Sequence, residues 1–372
     1  MTELPSDISR AALPRRPPTP LARGALALRR RLLALADSVV PPQFALFDLT
    51  VADGRARALA TIAELGIPDA LGSRRRTAES LARELNLDTD MLHRVLRALH
   101  VEGIVRMDRA GRVRLTRKGQ CLRVDHPDSL RSWIGYWSTA SNRAAWDAFA
   151  EVVRTGEPAF PAVHGMSVWR WFDEHPEEGR LFAAAMRRLT EFDAPDIVGL
   201  YPWPDAGTVC DIAGGAGTLL SRILQAKPHL RGILVEAPVV LSEAEKVFAE
   251  RGVRERVELV EGDIFGKITA TADVYVLKNV LHDWDDETCV KILGTAQAAM
   301  PPGAILVIVE YLQEPNVPAY PASMNDLQMA VICDGGRERS RAELQGLLSR
   351  AGFTPTSVHV SGAGLGLVAG RR

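Results

Sequence analysis

The sequence predicts an α/β protein: a mostly parallel, seven-stranded sheet covered on both faces, preceded by a smaller, mostly helical winged-helix module. Three observations carry this. From residue 208 onward short apolar runs alternate with helical patterns, as parallel strands joined by covering helices require. A glycine turn, "CDIAGGAGTLL", follows the first of those runs and opens a helix. Between about 40 and 120, three helical segments are followed by two short strand-like runs around Gly111.

At 372 residues the chain is too long for one ordinary core. It divides into a basic disordered tail (1–38), a winged-helix-like dimerisation domain (39–125), a helical linker and pocket segment (126–200) and a ligand-binding sheet domain (201–372). A formal charge of -1 supplies no overall pull toward nucleic acid or anionic lipid. The four cysteines, Cys121, Cys210, Cys289 and Cys333, show no CxxC or Cys/His spacing, so a disulfide framework and a structural zinc site are not expected and a reducing cytoplasm is. No run approaches the roughly 18 apolar residues that span a bilayer. The arginine- and proline-rich start resembles a transit peptide only superficially, since Glu3 and Asp7 sit in it. Residues 1 to about 20 read as disordered, and 21 to about 36 as a basic amphipathic helix.

"RARALATIAELGIPDAL" has helical periodicity and stops at Pro68. Two further helices come next, one after Thr77 and one from Asp88 to His100. The second carries Met91, Leu92, Val95, Leu96 and Leu99, which ask for burial. Arg106, Arg109, Arg112, Arg114, Arg117 and Lys118 on the wing could neutralise phosphates, which leaves a DNA-binding reading open beside packing and dimerisation. Packing is favoured, because the second helix offers few side chains suited to base edges beyond Arg94 and Arg97. Between 128 and 195 lie five of the seven tryptophans, mostly for core packing, with a minority walling a pocket for a flat apolar ligand.

The sheet domain reads in order as strands at 208–212, 232–236, 257–263, 272–280 and 304–310, with helices at 218–226, 239–251, 286–299 and 341–351, and two last strands in "TSVHVSGAGLGLVAG". The ligand crevice is expected at the strands' carboxyl ends. The fingerprint GxGxxG is not met, because Leu220 takes the third glycine's place after Gly215 and Gly217. Asp211 ends the first strand before the turn at Ala213, Gly214 and Gly215, which suits a nucleoside ligand bearing an ammonium. Glu236 ends the second strand, where it could accept from ribose hydroxyls. Asp263 could bond an adenine amino group, with Ile264 and Phe265 flanking the base. The fourth strand ends at Lys278 and His282. A histidine there could equally be a loop residue before a helix capped by Asp285 or Asp286.

"GDIF", "VLKNVLHDWDDE", "VIVE" and "DGGRERSRAEL…LLSRAGF" resemble the plant caffeic-acid-type and bacterial polyketide O-methyltransferases that use S-adenosylmethionine, from about residue 45 to the end. The resemblance implies a Rossmann-like class I methyltransferase domain, S-adenosylhomocysteine as product, and a homodimer formed through the N-terminal winged helix. It implies that His282 is the general base, that Glu310 and Glu338 orient it, and that Lys278, Asp263 and Glu236 meet the cofactor. Phe182, Met186 and Met329 match pocket positions, with Asn325 and Asp326 nearby. Two departures stand out: Ala213 replaces the first glycine of the family's GGG turn, and Glu236 replaces its ribose aspartate. Ala213 is expected to keep φ below zero.

These roles fit transfer of a methyl group to a hydroxyl of a small, aromatic secondary metabolite. A histidine of ordinary pKa, about 6.5, is mostly neutral near pH 7 and ready to take the hydroxyl proton. No metal is expected, since His282, Asp283 and Asp285 are loop neighbours without a separated ligand set. Nucleic acid and membrane are not expected partners. Two alternatives remain open: the same scaffold catalysing decarboxylation, hydroxylation or a pericyclic step, and a DNA-binding ligand sensor built on the winged helix.

Overall fold

In the computed structural model, residues 17–315 and 322–372 are described; the expected disordered tail falls largely on residues 1–16, outside them. The chain forms two compact units, one of Ala27–Ala140 with Glu177–Arg188, the other including Ser141–Pro176 and Leu189–Arg372.

The first unit has a winged-helix core. Helices Ala52–Glu64, Ala78–Leu85 and Thr89–Val101 pack Ile62, Leu81, Leu92, Leu96 and Leu99 against Val105, Val113 and Leu115 of the wing. Both helices begin where expected, with Thr77 accepting from the Ser80 N–H and Asp88 from the Met91 N–H as caps. Pro68 does not end a helix. Gly66, at φ 71°, breaks the first one, and Pro68 sits in the opening turn of a new helix, Ile67–Leu71, where its missing N–H costs nothing. Met91 is exposed rather than buried. The wing has three strands, since β1 (Arg76–Thr77) joins β2 (Val105–Met107) and β3 (Arg112–Leu115) in the order β1-β3-β2. The expected basic helix runs over Thr19–Ser38, and a further helix, Pro42–Thr50, comes after it; neither buries a residue. No single helix among the described residues is long and apolar enough to cross a membrane.

The second unit is built on a seven-stranded sheet. Its strands are β4 (Gly207–Ile212), β5 (Leu230–Glu236), β6 (Val257–Glu261), β7 (Val274–Lys278), β8 (Ile305–Tyr311), β9 (Thr354–Val360) and β10 (Leu365–Arg371), in the order β6-β5-β4-β7-β8-β10-β9. β4 to β8 are parallel to one another, while β10 runs antiparallel between β8 and β9. The chain moves outward from β4 through β5 to β6 and then returns to the other side of β4 for β7. That reversal opens a crevice at the carboxyl ends of β4 and β7. Alternate residues feed two cores: Cys210, Ile212, Tyr275 and Leu277 on one face, Val209, Val274, Val276 and Val309 on the other. The aromatic stretch forms a third cluster, in which Phe160 and half-buried Trp146, Trp169 and Trp171 pack with Met329 and Ile332 of the helix Ala322–Ile332.

Candidate active site

After β7 the chain turns sharply. Asn279 takes φ 52°, and its N–H donates to the Val309 carbonyl of the neighbouring strand. Glu310, the residue after Val309 in β8, fixes the backbone beyond Asn279: its Oε1 accepts the N–H groups of Val280 and Leu281 at 3.1 and 3.0 Å. His282 is thereby held in a short 3-10 turn, Leu281–Asp283, only 9% exposed. Asp285, not Asp286, caps the next helix by accepting from the Thr288 N–H at 2.7 Å.

The segment 335–340 closes over this turn, and each part of it has a physical task. A Cβ on Gly335 would lie 2.7 Å from that of Asp285, and one on Gly336 would lie 2.9 Å from the His282 carbonyl oxygen, so only glycine lets the two backbones approach. The Arg337 N–H donates to the His282 carbonyl at 2.8 Å. Arg339, almost wholly buried, donates to the carbonyls of Leu281 and Trp284 at 2.7 and 2.6 Å and to Asp286 at 2.9 Å. Ser340 and Glu343 form a capping box for the helix Arg341–Arg350. Arg339 carried no expected role, because three of its four acceptors, the Arg337 carbonyl among them, are backbone carbonyls, which leave no mark on residue identity.

This scaffold brings His282, Glu310 and Glu338 together, as expected. Nδ1 of the imidazole lies 3.1 Å from Glu338 Oε1 and 3.3 Å from Glu310 Oε2, and Nε2 lies 3.6 Å from Asp283 Oδ1. Burial alone would lower the His282 pKa, but the charges of Glu310, Asp283 and Glu338 outweigh it and push it up to about 10. Burial pushes Asp283 up to about 6 and Glu310 to about 7, with the imidazole opposing both shifts. An ordinary, mostly neutral histidine was expected; the three carboxylates around this ring favour its protonated form. The ligand atoms of His282, Glu310 and Glu338 also lie within 4.8 Å of one another, a separated set that loop spacing could not reveal. In the tautomer whose Nδ1 donates to Glu338, that nitrogen offers no lone pair to a cation.

The other side of the crevice centres on Asp211. It is 1% exposed, its carboxylate makes no close hydrogen bond among the described residues, and burial and Glu236 push its pKa up to about 7 against the opposing pull of Lys278 and the Leu220 backbone N–H. A Cβ on Gly214 would strike the Asp211 carboxylate at 2.4 Å, and one on Gly217 would strike the Phe248 ring at 2.1 Å. Gly215 faces open space. Ala213 adopts φ 54°, contrary to expectation, and its N–H donates to the Val235 carbonyl at 2.9 Å. An alanine in this region costs about 1–2 kcal/mol, which the surrounding strand contacts sustain. Glu236 accepts from the N–H groups of Gly215 and Ala237 at 2.9 and 2.8 Å, which ties the turn to β5. Asp263 accepts from the Phe265 N–H at 2.9 Å, Ile264 packs against the core, and Phe265 meets Trp284 edge-on at 4.9 Å.

Lys278 is paired within the protein: its Nζ lies 3.1 Å from Asp193 Oδ2, and Asp193 Oδ1 accepts the Tyr311 hydroxyl at 2.7 Å. Asp193 and Tyr311 give no signal in the sequence, since one lies in a helical stretch and the other reads as an ordinary strand end. Of the expected pocket residues, Asn325 donates to Glu338 Oε1, Asp326 accepts the Glu338 N–H at 2.8 Å, and Met329 lies in the aromatic cluster. Phe182 and Met186 belong to the first unit, where Phe182 meets Tyr136 edge-on at 5.2 Å.

A buried carboxylate with no close hydrogen bond, beside an open glycine turn, suits a nucleoside ligand with a cationic end, and comparison with known proteins agrees. Residues 146–354 match the O-methyltransferase domain, and residues 51–125 the O-methyltransferase dimerisation domain. O-demethylpuromycin-O-methyltransferase of Streptomyces alboniger is 38% identical over 79% of this chain and 79% of its own. The crystal structure of LaPhzM superimposes with a TM-score of 0.84 at 34% identity, covering 89% of this chain and 99% of that one. NcsB1, an O-methyltransferase of neocarzinostatin biosynthesis solved with S-adenosylmethionine and 2-hydroxy-5-methyl naphthoic acid, gives 0.72 at 32% identity, over 85% and 95% of the two chains. The chain belongs to the small-molecule O-methyltransferases of bacterial natural-product biosynthesis, enzymes that use S-adenosylmethionine.

Proposed function

We propose that the chain methylates a hydroxyl on a small aromatic molecule, with His282 as the base, Glu310 and Glu338 as the groups that orient it, and the turn at 211–217 with Glu236 and Asp263 as the donor site. The observation that carries this is the grip on the imidazole. Two buried carboxylates hold Nδ1, so Nε2 is the nitrogen left to take a proton, with Asp283 beside it. The aromatic character of the acceptor is supported by NcsB1's naphthoic acid and by the tryptophan- and phenylalanine-rich cluster around Met329.

S-adenosylmethionine supplies an electrophilic methyl on sulfur and leaves as the thioether. The protein's contribution is to hold the acceptor oxygen in line, worth about 7–11 kcal/mol in favourable cases, and to remove its proton, worth roughly 10²–10⁴ in rate. The imidazolium formed at His282 is stabilised by Glu338 and Glu310, and Asn325 and Asp326 keep Glu338 in place. A positive charge brought near the ring lowers its proton affinity. A sulfonium in the crevice therefore opposes the proton that the ligand-free cluster holds.

Homodimer formation is supported by the dimerisation-domain match and by the stretch 19–50, where Leu21, Phe44, Leu46 and Leu49 are all more than half exposed. The test is incubation with S-adenosylmethionine and a panel of phenols, scoring S-adenosylhomocysteine and methylated product together. Turnover of a phenol without S-adenosylhomocysteine would favour the non-methylating alternative. Unchanged transfer by His282→Gln would remove the base from His282.

A further inference from the structure

The wing of the first unit encloses a hollow of about 710 Å³, within the size range of small-molecule sites. It lies between the end of the helix Thr89–Val101, the turn at Gly103 and the residues that follow β3. Alternation along β2 and β3 turns Val105 and Leu115 inward and leaves Arg106 and Arg114 exposed. Those two arginines are register partners, so like charges stand directly opposite each other across the ladder, an arrangement that destabilises a sheet. Arg117 and Lys118 add two more cations, and no acid lines the hollow. Cations close by in the chain are neutralised: Arg112 pairs with Asp108 at 2.9 Å, and Arg55 with Glu102 at 2.9 Å. Lys118 reaches only a neutral acceptor, the Glu102 carbonyl at 3.2 Å, and none of the four lining cations has a carboxylate partner among the described residues.

A guanidinium presents a planar fork of donors that matches phosphate oxygens two at a time, and an ammonium adds a compact point charge. Four such groups around one concavity ask for a ligand whose negative charges lie close together. We propose that the hollow binds a compact ligand with linked phosphates, either the polyphosphate end of a nucleotide or inorganic polyphosphate. A lone carboxylate would leave most of this charge unmet. A DNA duplex is the other occupant that a basic wing suggests. It carries its phosphates along a convex rod, which meets the rim of a hollow rather than its floor, and the adjoining helix offers few side chains for base edges. Linked phosphates between Arg106 and Arg114 also offset the repulsion between them, so the ligand stabilises the wing. The hollow is built wholly from the first unit and uses none of the residues assigned to methyl transfer.

The experiment is calorimetric titration of the full chain with inorganic tripolyphosphate and with ATP at about 0.1 M salt. Both are expected to bind, and tripolyphosphate to raise the melting temperature. Equal affinities mean that the phosphates alone are recognised, tighter ATP binding adds the nucleoside, and either result supports the site. Arg106→Gln combined with Arg114→Gln should weaken tripolyphosphate binding about tenfold or more. Arg109→Gln, on the turn between β2 and β3 and outside the hollow, should leave it unchanged. Unchanged S-adenosylmethionine binding by the double variant shows that its fold is intact; if the fold is lost, Arg117→Gln, which leaves the sheet untouched, decides by a smaller loss in the same direction. Absence of tripolyphosphate binding up to about 1 mM overturns the proposal. An equal loss in Arg109→Gln and the double variant also overturns it, since diffuse surface charge is then enough. So does a random DNA duplex that binds tighter than tripolyphosphate and displaces it, which would make the wing a nucleic-acid face.

Discussion

Glu338 Oε1 and His282 Nδ1 lie 3.1 Å apart, and the same oxygen also accepts from Asn325. One carboxylate oxygen thus sets both the tautomer and the tilt of the ring. His282→Gln should bind S-adenosylmethionine normally and transfer methyl at least about 10²-fold more slowly. Glu338→Gln should lose less than His282→Gln, because Glu310 still faces Nδ1. Single-turnover rates with saturating cofactor give the comparison.

The charge cluster makes a pH prediction. A base works unprotonated, and the His282 pKa is raised to about 10 in the ligand-free cluster. The logarithm of kcat/KM should therefore rise with pH from 7 toward 9 rather than level off near 6.5. Asp283→Asn removes one of the three negative charges and should move the rise to lower pH. A profile that levels off below pH 7 in the wild type would contradict this.

Asp211 should show stability exchanged for binding. Its folded pKa, about 7, lies above its unfolded value. Its stabilising contribution is complete below about pH 4 and is lost as pH rises through about 7. Asp211→Asn should therefore stabilise the ligand-free fold at pH 8, by about 1–3 kcal/mol, with little gain at pH 4, while weakening cofactor binding. Denaturant melts at the two pH values measure it.

Arg339 bonds four acceptors at once from a buried position. Lysine cannot reproduce a planar fork with five donors, so Arg339→Lys is not conservative. It should destabilise the fold by about 2–4 kcal/mol and loosen the turn that carries His282, lowering kcat as well. A variant with wild-type melting and wild-type kcat would refute that role.

Much of this fold is readable in the residues because it is local. Alternation locates the parallel strands, and Thr77, Asp88 and Asp285 announce helix starts by bonding N–H groups three residues away. Features that escape the sequence depend on contacts distant in the chain or on a neighbour's backbone. Pro68 misleads because Gly66 has already ended the helix before it. The lifted proton affinity of His282 comes from its neighbour Asp283 together with Glu310 and Glu338, which only the fold brings alongside, and Asp193 and Arg339 have meaning only through partners far along the chain. Ala213 shows the opposite case: the alanine is visible, but its left-handed backbone is not, because neighbouring contacts decide whether such a cost is borne.

The last strand, β10, is inserted between β8 and β9. During synthesis, β8, with Glu310 and Tyr311 at its tip, therefore waits with one bare edge until residues 365–371 have left the ribosome. A nascent chain can assemble its nucleotide half early, but the half that governs the proton is finished only once residues 365–371 have emerged.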